Sequence, residues 1–374
     1  MKIHLDTTGS VTALETLIRR AASEPSVRGL LVLACDANGF APETVSPVLR
    51  RSPLPLVGGV FPALIHGEDL IRRGSLVLGL SSLLRTAHIP GLSDPEIDYE
   101  GALAACLPDP EGARSMLVLV DGFAKRIGAF TEALFNRFGL ELNYIGGGAG
   151  SLTLDPSPCL LTNEGMTRDG AVLAFLSSPC GVGVCHGWET LSGPFRVTEA
   201  DRNVIRTLDW RPAFEVYREV VTPHAGRSVD ADDFFRVAKA YPFGISRLGS
   251  EQVVRDPVRV REDGGLICVG EVPEGAFVSI LHGDDLSLIR AAGEALRLGC
   301  RSVPGTGEPE AGLVMDCISR VLFLEDRFEK ELAAINQEGR PMVGACTIGE
   351  IANCGEAYLE FYNKTAVVAV LGDP

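Results

Sequence analysis

Long apolar runs, a basic surface and paired metal-type cysteines are all missing from this chain, and each absence removes a class of function. No segment stays apolar for the ~18 residues that a membrane span needs; the longest runs are short ones such as GLLVLAC, Gly29–Cys35. The opening MKIHLDTTGS carries no basic region followed by an apolar core, which is the pattern of a signal peptide. A cytoplasmic protein with no membrane contact is the expectation. Acidic residues number 49 against 34 basic ones, for a formal net charge of −15. Nucleic acid and anionic lipid both demand a basic surface, so neither is expected as a partner. The acidic residues are scattered rather than in runs, which reads as a solvated surface and not an interaction tail.

Ten cysteines are present, yet no C-x-x-C occurs among them. In a reducing compartment such residues act as small hydrophobes. CGVGVCH, Cys180–His186, has a cysteine spacing that suggests covalent haem, but that attachment happens outside the cytoplasm. As a zinc site it lacks a second ligand pair, since His224 and His282 stand alone. No metal and no cofactor are expected.

What is there in quantity is glycine. YIGGGAGSL, Tyr144–Leu152, invites a phosphate reading. A dinucleotide fingerprint needs G-x-G-x-x-G between a strand and a helix. Gly146 and Gly148 fit, but the third position is Ser151, and the proline-broken SLTLDPSPCLL that follows offers no helix. The lysine of a Walker loop is missing as well. Equivalent strand ends read VGGV (Val57–Val60) and VGAC (Val343–Cys346). The repeated demand is for small residues, which permit close approach of a ligand or of another backbone.

These strand ends belong to a unit that occurs three times. RGLLVLACDANGF, PETVSPVLRR, PLPLVGGVF and GSLVLGLSS form the first copy. ARSMLVLVDGFAK, AFTEALFNRFG, LNYIGGGAG and DGAVLAFLSS form the second; AGLVMDCISR, FLEDRFEKELAAINQ, RPMVGACTIGE and KTAVVAVLG form the third. Each reads as strand, helix, strand, loop and strand. Leu324, Phe328, Leu332 and Ile335 share one helix face, as do Phe130, Leu134 and Phe138. The first copy's connection contains prolines, so a full helix there is not expected. Strands without alternation suit a sheet covered on both faces. The fold class is therefore α/β, with mixed sheets flanked by helices, repeated units and two lobes.

The region at 180–300 differs. A helix is expected at RPAFEVYREVV, with Pro212 in its first turn. Strands joined by a turn at Asp263 and Gly264 follow. DLSLIRAAGEALRLG reads as a helix with Asp284 or Asp285 as N-cap and Gly299 as its stop. CRSVPGTGEPEAG, Cys300–Gly312, reads as a surface loop.

Polar residues beside these segments are the site candidates. Cys317 ends an apolar strand, where side chains emerge at pocket rims. Asp316 precedes it and Arg320 follows, and a nearby cation lowers a thiol's pKa. Arg255, Asp256 and Asn203 fit an ion pair or a loop-ordering hydrogen bond as well as a ligand contact; Glu350 and Asn363 are read the same way.

Taken in order, GVGVCHGW, VTEADRNVIRTLDWRPAFEVYREVV, VRDPV, GEVPEGAFV, DCISRVLFL, GEIA and NKTAVVAVL resemble the FIST family, named for F-box and intracellular signal transduction proteins. The resemblance covers nearly the whole chain. It implies an N-terminal domain over residues 1–210 and a C-terminal domain over 211–374, in the stand-alone form known from bacteria. It also implies a sensory module for small ligands, an amino acid or small carboxylate among them, that signals to a separate protein partner. The expected ligand contacts are Gly146, Gly147, Gly148, His186, Asn203, Arg255, Cys317, Ser319, Arg320, Gly349 and Glu350. Arg255 or Arg320 would meet a ligand carboxylate. The chain departs from the family pattern at Cys185, Trp210 and Tyr362, the last where a histidine often stands. The alternative reading is an acyl-transfer or hydrolytic enzyme with Cys317 as nucleophile.

Overall fold

The computed structural model describes residues 1–106, 111–153, 155–247, 252–304, 311–336, 339–353 and 358–372. The three sequence repeats form three equivalent six-stranded sheets. In the first, strand Gly29–Cys35 lies between Leu56–Phe61, to which it is parallel, and the closing strand Ser75–Leu80, to which it is antiparallel. Ser115–Asp121, Asn143–Ala149 and Gly170–Leu176 repeat this arrangement in the second sheet. Ala311–Cys317, Met342–Thr347 and Ala366–Leu371 repeat it in the third. Even the register agrees, with Val32 opposite Gly58, Val118 opposite Gly146 and Val314 opposite Gly344. These strands are buried along their whole length, as the absence of alternation requires.

Each repeat gives away the strand that follows its second parallel strand. Ala63–His66, after the first repeat's Leu56–Phe61, pairs with Met342–Thr347 of the third sheet. Leu160–Thr162, from the second repeat, pairs with Leu56–Phe61. Glu350–Ala352, from the third, pairs with Asn143–Ala149. The exchange is cyclic, and together with the parallel pairing inside each repeat it explains the glycines. A Cβ on Gly58, Gly146 or Gly344 would run into the carbonyl oxygen of Val32, Val118 or Val314. A Cβ on Gly147 would meet the Gly349 carbonyl, and one on Gly148 the Ile348 carbonyl. The room left by the triglycine is filled by backbone.

The middle region is a closed antiparallel barrel. Its strands run in the order Glu189–Asp201, Phe277–His282, Phe243–Ile245, Val253–Val260, Leu266–Val269 and Val204–Leu208, and the last pairs back with the first. Closure removes the exposed edges such a sheet would otherwise present. The barrel takes strands from both sides of residue 210. The two lobes inferred from sequence thus resolve into three sheets and a barrel.

Helices cover the sheets. Ile127–Phe138 buries Phe130, Leu134 and Phe138 as their spacing predicts, each worth ~1.5–3 kcal/mol of transfer free energy. Pro42–Arg50 is a helix despite the sequence expectation: Pro42 occupies its first turn, where no N–H is needed, and the helix also accommodates Pro47 in its interior. Asp284 caps the helix Asp285–Ser302 through a reciprocal pair with Ser287. Gly299 does not stop that helix but lies inside it, where a Cβ would stand 3.0 Å from the Val368 carbonyl oxygen. The third repeat's helix is split into Ile318–Leu324 and Phe328–Ile335 by a turn at Glu325, whose φ is +52°. Of the predicted surface loop Cys300–Gly312, the first three residues belong to a helix and 305–310 lie outside the described residues.

Candidate functional site

Where the third sheet's parallel strands end, a cavity of about 340 Å³ opens between that sheet and the barrel. The position is the usual one for ligands in α/β folds, at the carboxyl ends of strands. Cys317, Ile318, Ser319 and Leu322 enter it from the strand end and the helix that follows. Ile348 and Gly349 come from the loop after Met342–Thr347, and Asn363 from the loop before Ala366–Leu371. Asp256, Val258 and Val269 are the barrel's contribution; Leu152 and Phe235 complete the wall. Gly349 has φ +82°, and a Cβ there would strike the Phe361 ring, so the loop's shape depends on glycine.

Most of this lining is apolar, and its few polar groups are specific. Asp256 is 1% exposed. One of its oxygens accepts from Ser319 Oγ at 3.0 Å and lies 3.2 Å from Lys364 Nζ. Its other oxygen has no hydrogen-bond partner among the described residues. Asn363, also 1% exposed, has no partner at either end of its side-chain amide among them. Unpaired buried polar groups are uncommon in folded proteins and call for an explanation.

The Cys317 thiol is fully buried from water, and desolvation together with the Glu350 carboxyl pushes its pKa far up. Burial likewise raises Glu350, to about 8. The cation expected to lower the thiol does not outweigh burial. Arg320 is 0% exposed, and all five of its N–H groups are committed. Nε and Nη2 donate to Glu331 at 2.8 Å, Nη1 donates to the His186 and Lys364 carbonyls, and Nη2 also donates to the Leu288 carbonyl. Nothing is left over for a ligand carboxylate.

Of the residues singled out in the sequence, Cys317, Ser319 and Gly349 meet at the cavity. Glu350 is the next residue along, buried, accepting the Thr347 hydroxyl at 2.8 Å. Gly146, Gly147 and Gly148 stop behind the cavity: Gly148 exchanges backbone hydrogen bonds of 2.8 Å with Ile348 and Gly349, and so braces two lining residues. His186 is buried, its Nδ1 accepts the Trp188 N–H at 2.9 Å, and burial lowers its pKa to about 4. Asn203 donates to the Cys268 carbonyl and orders a barrel turn. Arg255 donates to the Glu271, Val254 and Phe361 carbonyls. Its side chain borders a different cleft, of about 560 Å³, with Ile245, Arg247, Glu271 and Glu360. Asp256 and Asn363 were visible only as polar residues in apolar surroundings, and their lack of partners is a property of the fold. No group of three His, Cys, Asp or Glu side chains that could hold a metal occurs among the described residues.

Two family domains match the chain one after the other: the FIST N domain over residues 29–211 and the FIST C domain over residues 213–353. The chain belongs to the FIST family. FIST domains are sensory domains of signal-transduction proteins. A search of curated proteins finds no match. Among this FIST protein's departures, Cys185 is buried in the strand Cys180–Cys185, and Trp210 is 81% exposed at a turn with φ +65°. Tyr362 is buried beside Asn363 in the chain, and no histidine lines the cavity among the described residues. No helix is long and apolar enough to cross a membrane among the described residues.

Proposed function

We propose that this FIST protein senses a small molecule held in the cavity at Cys317, Ser319 and Asn363, and relays its presence to a separate signalling protein. The observation that carries the reading is an apolar cavity at the ends of the third sheet's parallel strands, with Ser319, Asp256 and Asn363 as its few polar lining side chains. Its volume falls at the small end of ligand sites, which run from about 300 to 1,000 Å³. Support from the family is at the level of sensory role.

A thermal-shift screen of small molecules against wild type and Ser319→Phe tests this. At least one compound should raise the wild-type Tm while the cavity-filling variant stays unmoved; compounds that shift both equally, or none that shifts wild type, would refute the reading. The nucleophile reading of Cys317 needs a thiolate, and burial opposes one.

A further inference from the structure

A second cleft, of about 610 Å³, adjoins the cavity beside the short helix Phe234–Ala238. Phe235, Val258 and Leu322 line both spaces, so the two are divided by side chains and not by a layer of backbone. Phe235 is half-buried and Leu322 is 39% exposed. The backbone on either side of this divide is tied down. Lys364 Nζ donates to the Lys239 carbonyl just past the short helix at 2.9 Å, and Lys239 Nζ donates to the Leu322 carbonyl at 3.4 Å. Rotation of the Phe235 and Leu322 side chains is therefore the motion that joins the two spaces, and partly exposed side chains change rotamer in picoseconds to nanoseconds.

The two spaces differ in chemistry. Among the described residues Asp256 is the one charged side chain lining the inner cavity, and it is held by Lys364 and Ser319. The outer cleft is lined by Asp232, Asp233, Arg236, Lys239 and Arg259. Both signs are present there, and Arg236 lies 2.6 Å from Asp233 while Lys239 lies 3.0 Å from Glu325. Such a lining suits a hydrated polar group without selecting one sign of charge. Moving that group into the apolar cavity would cost its hydration, whereas an apolar chain gains by leaving water for the same space. We infer that the ligand is an amphiphile, with an apolar tail that passes between Phe235 and Leu322 into the cavity and a hydrophilic head that stays in the outer cleft. This rests on the cavity being the ligand site. Phe235 and Leu322 then set which tails can cross.

The test is an NMR titration of the full chain, methyl-labelled at isoleucine and alanine, with methyl, butyl and hexyl β-D-glucoside below micelle-forming concentrations and with benzene as a head-group-free cavity probe. Hexyl glucoside should move Ile318 and Ile348 of the cavity together with Ala231 of the outer cleft, saturably. Benzene should move Ile318 and Ile348 alone, and methyl glucoside none of the three. Affinity should rise about fourfold for each CH₂ added between the butyl and hexyl glucosides. Leu322→Trp should weaken hexyl glucoside about tenfold more than benzene, because the glucoside alone keeps its chain across the divide; Phe235→Trp serves if the first variant does not fold. Benzene binding without glucoside binding, glucoside shifts confined to one of the two spaces, or a glucoside-to-benzene affinity ratio unchanged in the variant would overturn the amphiphile assignment, while benzene binding keeps the cavity as the ligand site. If neither benzene nor any glucoside binds, the site and the assignment fall together.

Discussion

A buried carboxyl with a raised pKa ties stability to pH, and Glu350 is the clearest case here. Its folded pKa of about 8 lies above the ordinary glutamate value because burial penalises the charge. A group that holds its proton more tightly when folded stabilises the fold fully below its unfolded pKa, near 4.5, and that contribution is lost as pH rises through 8. Asp316 and Asp256 are displaced in the same direction, also by burial. Urea denaturation at pH 5, 7 and 9 should therefore show stability falling with pH, and Glu350→Gln should flatten that fall, by a few kcal/mol across the window. Cys317 gives a second reading at this scale. Iodoacetamide at neutral pH should leave it unmodified in the folded protein while the exposed Cys106 reacts; rapid labelling of Cys317 would restore the nucleophile reading. Cys317 and Ser319 were legible as pocket residues because they sit where an apolar strand gives way to a helix. Arg320 was misread because its partner Glu331 lies eleven residues on, in a separate helix, where no local pattern points to it.

At the scale of single elements, strand composition and helix spacing carried most of the information. Apolar runs without alternation, VGGV, YIGGGAG and VGAC among them, marked the buried sheet strands and their small-residue ends. The close neighbour was not readable, because a carbonyl such as that of Val118 meets Gly146 only after parallel pairing. Gly146→Ala should destabilise the fold by about 3 kcal/mol or more, since rigid backbone and not a movable side chain opposes the new methyl group. The same change at the exposed Gly226, where a Cβ meets nothing within 4 Å, should cost less, with only its left-handed φ of +65° to strain against. Chemical denaturation of both variants measures the difference. Asp284→Ala should cost about 1 kcal/mol by removing the N-cap of Asp285–Ser302.

Over the whole molecule, the exchanged strands decide how the protein is assembled. Ala63–His66 leaves the first repeat for the third, and Glu350–Ala352 leaves the third for the second. The barrel draws Glu189–Asp201 and Val204–Leu208 from one side of residue 210 and its remaining core strands from the other. Fragments 1–210 and 211–374 should each lack cooperative unfolding alone and regain it when co-expressed, as followed by calorimetry. Independent two-state unfolding of either half would contradict the exchange. The repeats that build the sheets were plain in the sequence, whereas the exchange rests on strands of three or four residues whose partners lie far along the chain. Such short segments carry too few side chains to specify a partner by pattern alone.

Ligand is expected to enter the cavity at the end of the third sheet and not the cleft beside Arg255. Isoleucine methyls distinguish the two, because Ile318 and Ile348 line the first and Ile245 the second. In a methyl-labelled sample titrated with any stabilising small molecule, the Ile318 and Ile348 resonances should move together and saturably while Ile245 stays in place. Movement of Ile245 with Ile318 and Ile348 unchanged would put the ligand in the Arg255 cleft instead.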